Sequence, residues 1–216
     1  MKTGRTFFAL ALATSVFAAC DDASGPDGAD VRMFMSRSDD GLAVIAAGST
    51  AGAIPLSIVD SINIRLTSIQ AFSSSDSSDV TPIDLTAEGA RMVNLLDLPV
   101  LATDSTLIGR DEVPVGTYNN IRLRFDSATI TLNQAVMVGN VNYQPGTYQL
   151  TIPSGLSSGI KVQGATVVVD DIDDVVSFNL TFDPTTSVGT IVATGANKLM
   201  MSPVIHARAN VNPDQD

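Results

Sequence analysis

From residue 31 onward, apolar and polar positions alternate in short runs, each bounded by clusters of Gly, Pro, Asn, Asp and Ser. A period of two puts every second side chain on one face of a strand, whereas a helix repeats its apolar positions every three to four residues. The helical spacing is scarcely present. The pattern predicts strands over 31–37, 61–72, 91–96, 118–126, 129–138, 141–143, 148–152, 160–169, 175–182 and 199–211. In IRLRFD the alternation is clearest: Ile121, Leu123 and Phe125 point to a core while Arg122, Arg124 and Asp126 point away. Gly139 and Asn140, between Val138 and Val141, predict a two-residue hairpin turn with glycine first. Nine or ten short strands predict an all-β fold, a β-sandwich of immunoglobulin-like or prealbumin-like type with little helix.

Two turns echo each other. PVGTY (114–118) and PGTY (145–148) both lead into strands, and in such turns a tyrosine hydroxyl is expected to cap nearby backbone. Tyr118 and Tyr148 are therefore read as structural. The Ala/Gly-rich 41–52 and Ser/Asp-rich 73–79 stretches predict surface loops.

The N-terminus obeys a different pattern. Lys2 and Arg5 precede FFALALATSVFAA (7–19), then the small residues Ala18 and Ala19, then Cys20. A spanning helix needs about 20 apolar residues, and this run is too short. The order of basic tip, apolar run, small residues and cysteine predicts a lipoprotein signal peptide over 1–19, cleaved before Cys20. The Cys20 thiol would then carry lipid acyl chains such as palmitate. DDASGPDGAD follows, with almost nothing to bury, so 20–30 is expected to be a flexible acidic tether reaching roughly 17 Å as a coil. A single β-sandwich domain over 31–216 completes the expected organisation.

Composition narrows the function. Losing Lys2 and Arg5 with the signal takes the formal charge from −11 to −13. Such a chain is a poor partner for nucleic acid, whose phosphates need a basic face. Cys20 is the only cysteine. The domain therefore has no internal disulfide and must hold by packing.

Candidate chemistry is sparse. The sole histidine, His206, falls in the last strand pattern on a face with Val204 and Arg208, and reads as a sheet residue rather than a base. Zinc sites of Cys/His type lack ligands. Asp170, Asp171, Asp173 and Asp174 form a DDIDD run with oxygen ligands suited to Ca2+, although the glycine and distal glutamate of an EF-hand are missing. The alternative reading is the acidic turn of an exposed hairpin. IPSGLSSGIK (152–161) has glycines and a lysine but not the GxxxxGK spacing of a nucleotide loop, so nucleotide binding is excluded; an anion nest of backbone amides remains open. With no Trp and three Tyr, stacking on sugars is weakly signalled.

Several words in order resemble an exported bacterial family of unknown function, family 4382: MVNLLDL (92–98), PVGTYNNIRLRFD (114–126), IPSGLSSGIK (152–161), SFNLTFDPTTSV (177–188) and ATGANKLMMSPVI (193–205). The beginning departs, since VRMFMSRSDDG replaces the strand and Leu-Thr-Asp-Ala-Pro usual there. The resemblance implies a lipid-anchored β-sandwich and supplies no activity or catalytic residues. The expected protein is thus a lipoprotein exported to the periplasmic or surface face of a bacterial membrane, a non-enzymatic module that binds a glycan or protein or plays a structural part. The alternative is a carboxylate-dependent hydrolase of envelope glycans using two acids such as Asp126 and Asp183.

Overall fold

A computed structural model of the chain describes residues 28–39, 54–73, 80–83, 89–100, 102–153, 159–162, 164, 166–195 and 198–212. The signal segment 1–19, Cys20, the tether up to residue 27, the 41–52 loop and residues 74–79 and 154–158 lie outside the described residues. The strands in chain order are β1 (Ala29–Arg37), β2 (Val59–Ser73), β3 (Val80–Ile83), β4 (Arg91–Asn94), β5 (Thr106–Val113), β6 (Gly116–Leu132), β7 (Val136–Val138) and β8 (Val141–Tyr143). They continue with β9 (Gly146–Thr151), β10 (Ile160–Val162), β11 (Val167–Val169), β12 (Val175–Asp183), then helix α1 (Pro184–Gly189), β13 (Val192–Gly195), β14 (Lys198–Met200) and β15 (Val204–Asn212).

The fold is an all-β sandwich. One sheet has the order β15–β12–β1–β5, with β1 parallel to β12 and the other pairs antiparallel. The other runs β13–β14–β9–β6–β2–β3, with β4 also on β2 and with β10 and β11 also on β6. Strands β7 and β8 form a separate hairpin turned at Gly139, whose φ of +62° suits the first position of a primed turn. Buried apolar side chains from both sheets join one core, among them Met33, Met35, Phe178 and Leu180 from the first and Ile62, Leu66, Leu123 and Phe125 from the second. Each such side chain contributes about 1.5–3 kcal/mol by leaving water.

Four boundaries differ from the sequence reading. Ala29 is fully buried in β1, so Ala29 and Asp30 belong to the sheet rather than to a tether over 20–30. The segments 118–126 and 129–138 do not form two strands; β6 is continuous to Leu132. Its inward set changes from Ile121, Leu123 and Phe125 to Ala128, Ile130 and Leu132 because Asp126 is an extra residue opposite the Arg65–Leu66 step, a bulge that flips the alternation. The 160–169 and 199–211 runs are each divided in two, and the second changes sheet at Ser202–Pro203. Strands β3, β5 and β13 and the short α1 carry no alternation strong enough to be foreseen.

Both tyrosine turns form as the sequence suggests. The Tyr118 hydroxyl donates to the Pro114 carbonyl and the Tyr148 hydroxyl to the Gln144 carbonyl, each at 2.7 Å and each four residues back. Tyr148 also meets Tyr143 edge to face, with centroids 5.0 Å apart. Tyr118 is buried and fixes the start of β6, so Tyr118→Phe leaves a carbonyl without its donor and is expected to cost about 1–2 kcal/mol. Tyr148→Phe, at an exposed bond, should cost less when both variants are unfolded in urea.

Candidate functional site

The site begins with the outward face of β6. Because Ile121, Leu123 and Phe125 enter the core, Asn120, Arg122 and Arg124 stand on the opposite side. Pairing then lines up side chains across strands: Lys161 of β10 is the register partner of Arg122, which on its other side partners Gln70 of β2. Arg124 partners Ser68, and Asn120 partners Phe72. The Arg122 guanidinium lies over the Phe72 ring, 5.0 Å from its centroid, an attraction between cation and ring quadrupole. Buried on the same face without a hydrogen-bond partner are Arg124 Nε, Gln70 Oε1 and Asn120 Oδ1.

Beside this face opens a cleft of about 330 Å³ lined by Arg122, Pro153, Gly159, Ile160, Lys161, Ser202 and Pro203. Three chain passages make it: the exit from β9, the entry to β10 and the crossing from β14 to β15. The crossing is pinned by α1. Ser202 N–H donates to Thr190 Oγ1 at 2.9 Å, and Val204 N–H donates to Ser187 Oγ at 2.8 Å. Helix α1 is in turn started by Asp183, which accepts from Thr186 N–H at 2.8 Å and from its hydroxyl at 2.7 Å, with Pro184 in the first turn. Gly159 allows the close approach of the β10 entry to β6. Its φ is +76°, and a Cβ there would lie 2.9 Å from the Leu123 carbonyl oxygen, 3.2 Å from Arg124 Cγ and 3.3 Å from Arg122 Cβ.

Among the described residues elsewhere, Arg32, Arg37, Arg65, Arg91 and Arg110 have partners, whereas Lys198 has no ion pair. Asp30 accepts from Arg32 and Arg110, and Arg65 pairs with Asp126 at the β6 bulge. Arg37 Nε donates to the Leu98 carbonyl at 3.0 Å, and Arg91 donates to that of Leu107. Partial burial opposes the charge of Asp30, but the hydrogen bonds and charges of Arg110 and Arg32 outweigh it and hold the carboxyl below its ordinary range. Among the described residues, neither Lys161 nor Arg124 has an ion pair.

The residues singled out from sequence do not gather at this cleft. The DDIDD run is not a hairpin turn, since β11 before it and β12 after it lie in different sheets. Its acids close the turn themselves: Asp174 Oδ2 accepts from the N–H groups of Asp170 and Asp171 at 3.2 and 3.1 Å, and Asp171 Oδ1 from that of Asp173 at 3.2 Å. Among the described residues, no three His, Cys, Asp or Glu side chains converge as a metal site. Asp126 and Asp183 stand in different sheets, one paired with Arg65 and the other capping α1. A groove of about 70 Å³ includes Asp126 among its lining, with no second acid among the described residues. His206 is exposed on β15 opposite Thr181. The cleft itself was half visible: IRLRF announces outward arginines, and GIK a following lysine, but only strand register shows that Arg122 and Lys161 are neighbours.

The fold is thus an all-β sandwich with a cleft on one flank whose lining includes Arg122 and Lys161. The chain belongs to the family described as Domain of unknown function (DUF4382), whose model matches residues 52–203, more than half of the chain. The match starts between β1 and β2 and stops one residue before β15, so both strands that flank β12 lie outside it. No curated protein and no solved structure matches the chain.

Two outcomes test this description. Gly159→Ala is expected to lower stability by at least about 1–2 kcal/mol in denaturant unfolding, from the left-handed backbone alone. For Asp30 the folded pKa lies below the unfolded value of about 3.9, so its ion pairs stabilise above that pH and the contribution disappears as pH falls through the folded value. Asp30→Asn should therefore be less stable than wild type by roughly 1 kcal/mol at neutral pH, with the gap closing in acid.

Proposed function

We propose that the protein is an exported, lipid-anchored module of the bacterial cell envelope that acts by binding, with the cleft beside Arg122 and Lys161 as its contact site. The observation that carries this reading is the lining of that cleft. It brings together two cations, a serine hydroxyl and two prolines, the makings of recognition, while the two acids suited to hydrolysis are held apart in structural bonds. The anchor rests on the sequence of residues 1–20, where a basic tip, an apolar run and an Ala-Ala pair lead to the only cysteine. One diacylglyceryl group joined to its sulfur brings two acyl chains, the two signals that stable membrane attachment requires. Entry into the sheet at Ala29 leaves a short acidic link between Cys20 and the domain, which keeps the sandwich close to the surface that holds it.

Expression of the full chain in a bacterial host with labelled fatty acid tests the anchor. Wild type is expected to carry label and sediment with membranes, and Cys20→Ala to carry none. Equal release of unlabelled, soluble protein by both would remove Cys20 from this role.

A further inference from the structure

We infer that the end of the sandwich where the chain enters rests on a lipid bilayer with zwitterionic, amine-bearing headgroups, and that Val115, Val168 and Ile172 are the side chains that enter it; this rests on the acylation of Cys20. The three stand on or beside two turns that cross between the sheets at the same end. Gly28 packs on the Val113 backbone where β5 finishes, and only Pro114 and Val115 separate Val113 from the start of β6 at Gly116. Val169, the last residue of β11, is the register partner of Gly116. The 170–174 turn then returns to β12, where the Asp174 carbonyl accepts from Asp30 N–H at 3.1 Å. Both turns therefore flank the point of entry.

Of the six large apolar side chains exposed among the described residues, three are Val115, Val168 and Ile172, at 52, 43 and 44% exposure, and Pro114 beside them is exposed as well. Apolar side chains scattered singly over a surface need no explanation, whereas a group at one end marks a contact. What covers them follows from where the chain comes from. Seven residues separate Cys20 from Gly28, a link that reaches at most about 29 Å when fully extended. Strand β6 alone runs roughly 50 Å to the end that carries β7 and β8. An acyl anchor on Cys20 thus keeps the entry end within reach of the bilayer at any tilt of the domain. Charge selects the lipid. Asp111, Glu112, Asp170, Asp171, Asp173 and Asp174 stand at this end, while Arg32 and Arg110, two residues further into the sheet, are both held by Asp30. Carboxylates around an apolar group attract the ammonium of a phosphatidylethanolamine headgroup and are repelled by the net charge of an anionic lipid. Such a contact adds apolar burial to the anchor and fixes which end of the sandwich faces the membrane.

The chain has no tryptophan, so one introduced at a time reports its own surroundings. The full chain, purified from the bacterial host with its fatty-acid label, is reconstituted into vesicles of phosphatidylethanolamine and phosphatidylcholine whose acyl chains carry bromine, a contact quencher. Val168→Trp and Ile172→Trp should lose most of their emission and shift to shorter wavelength. Met137→Trp, equally exposed at 54% and beyond the far end of β6, should do neither. Adding Val115→Asn should weaken the quenching of Val168→Trp, and urea unfolding near the wild-type midpoint verifies that these surface variants are folded. Replacing half of the lipid with phosphatidylglycerol at low salt should weaken the quenching at both positions. If the three tryptophan positions are quenched alike, or none is, in protein that carries the label, this inference is overturned and the anchor stands. Protein without label removes the anchor and this inference with it. Quenching that grows with phosphatidylglycerol overturns the zwitterionic class of lipid.

Discussion

The larger sheet depends on the antiparallel contact between β2 and β6. Strand β6 pairs with β2 from Tyr118 to Leu132, and its other edge serves β11, β10 and β9 in succession. Such a ribbon would be stiff and uniform if it were regular, but it carries bulges at Asp60, Asp126 and Thr67. Each extra residue bends the pair and changes which side chains face inward. The bulge at Asp126 is held by Arg65, and the Thr67 hydroxyl donates to the Arg124 carbonyl at 3.1 Å. One strand can thereby change its neighbours along one edge while keeping a continuous core beneath.

The flank cleft follows from this sharing of an edge. Because three strands divide the free side of β6, the chain must leave and return between them, and the passages at Pro153 and Gly159 border the opening. The remaining wall comes from a sheet change at Ser202–Pro203, secured by the six-residue α1. The family match covers this whole assembly of β2, β6, β10 and α1, while β1 and all of β15 stand outside it. What IRLRF, Pro153, GIK (159–161) and DPTTSV have in common is therefore spatial. They border or brace the same opening.

Much of the fold was legible because its strands bury one face each. Alternation located β1, β2, β8, β9 and β12 within a residue or two, and the PGTY repeat correctly implied hydroxyl-to-backbone caps at Tyr118 and Tyr148. The reading failed where period two is interrupted. Asp126 and Ser127 are exposed in succession, which resembles a turn in a sequence and is a bulge in the sheet. Pro203 divides a run that reads as one strand because sequence carries no sign that the chain is changing layers. The site was harder still. Alternation places Arg122 and Arg124 outside, yet Lys161 reaches them only through pairing across 39 residues of chain, and register between distant strands is not local information. The acids drew notice because they are adjacent in sequence, and adjacency there served turn closure.

Sheet closure has a consequence in time. Strand β1 is the first described element of the chain, but it is enclosed between β5 and β12, and Ser36 meets Leu180 across 144 residues. Met33 and Met35 of that strand are almost wholly buried in the complete sandwich. A chain that emerges amino end first can pair β1 with β5 midway but must carry its other edge open until β12 has followed, the costly order for loop closure. That edge of β1 is thus among the last to close, and an incomplete chain would present it to its neighbours.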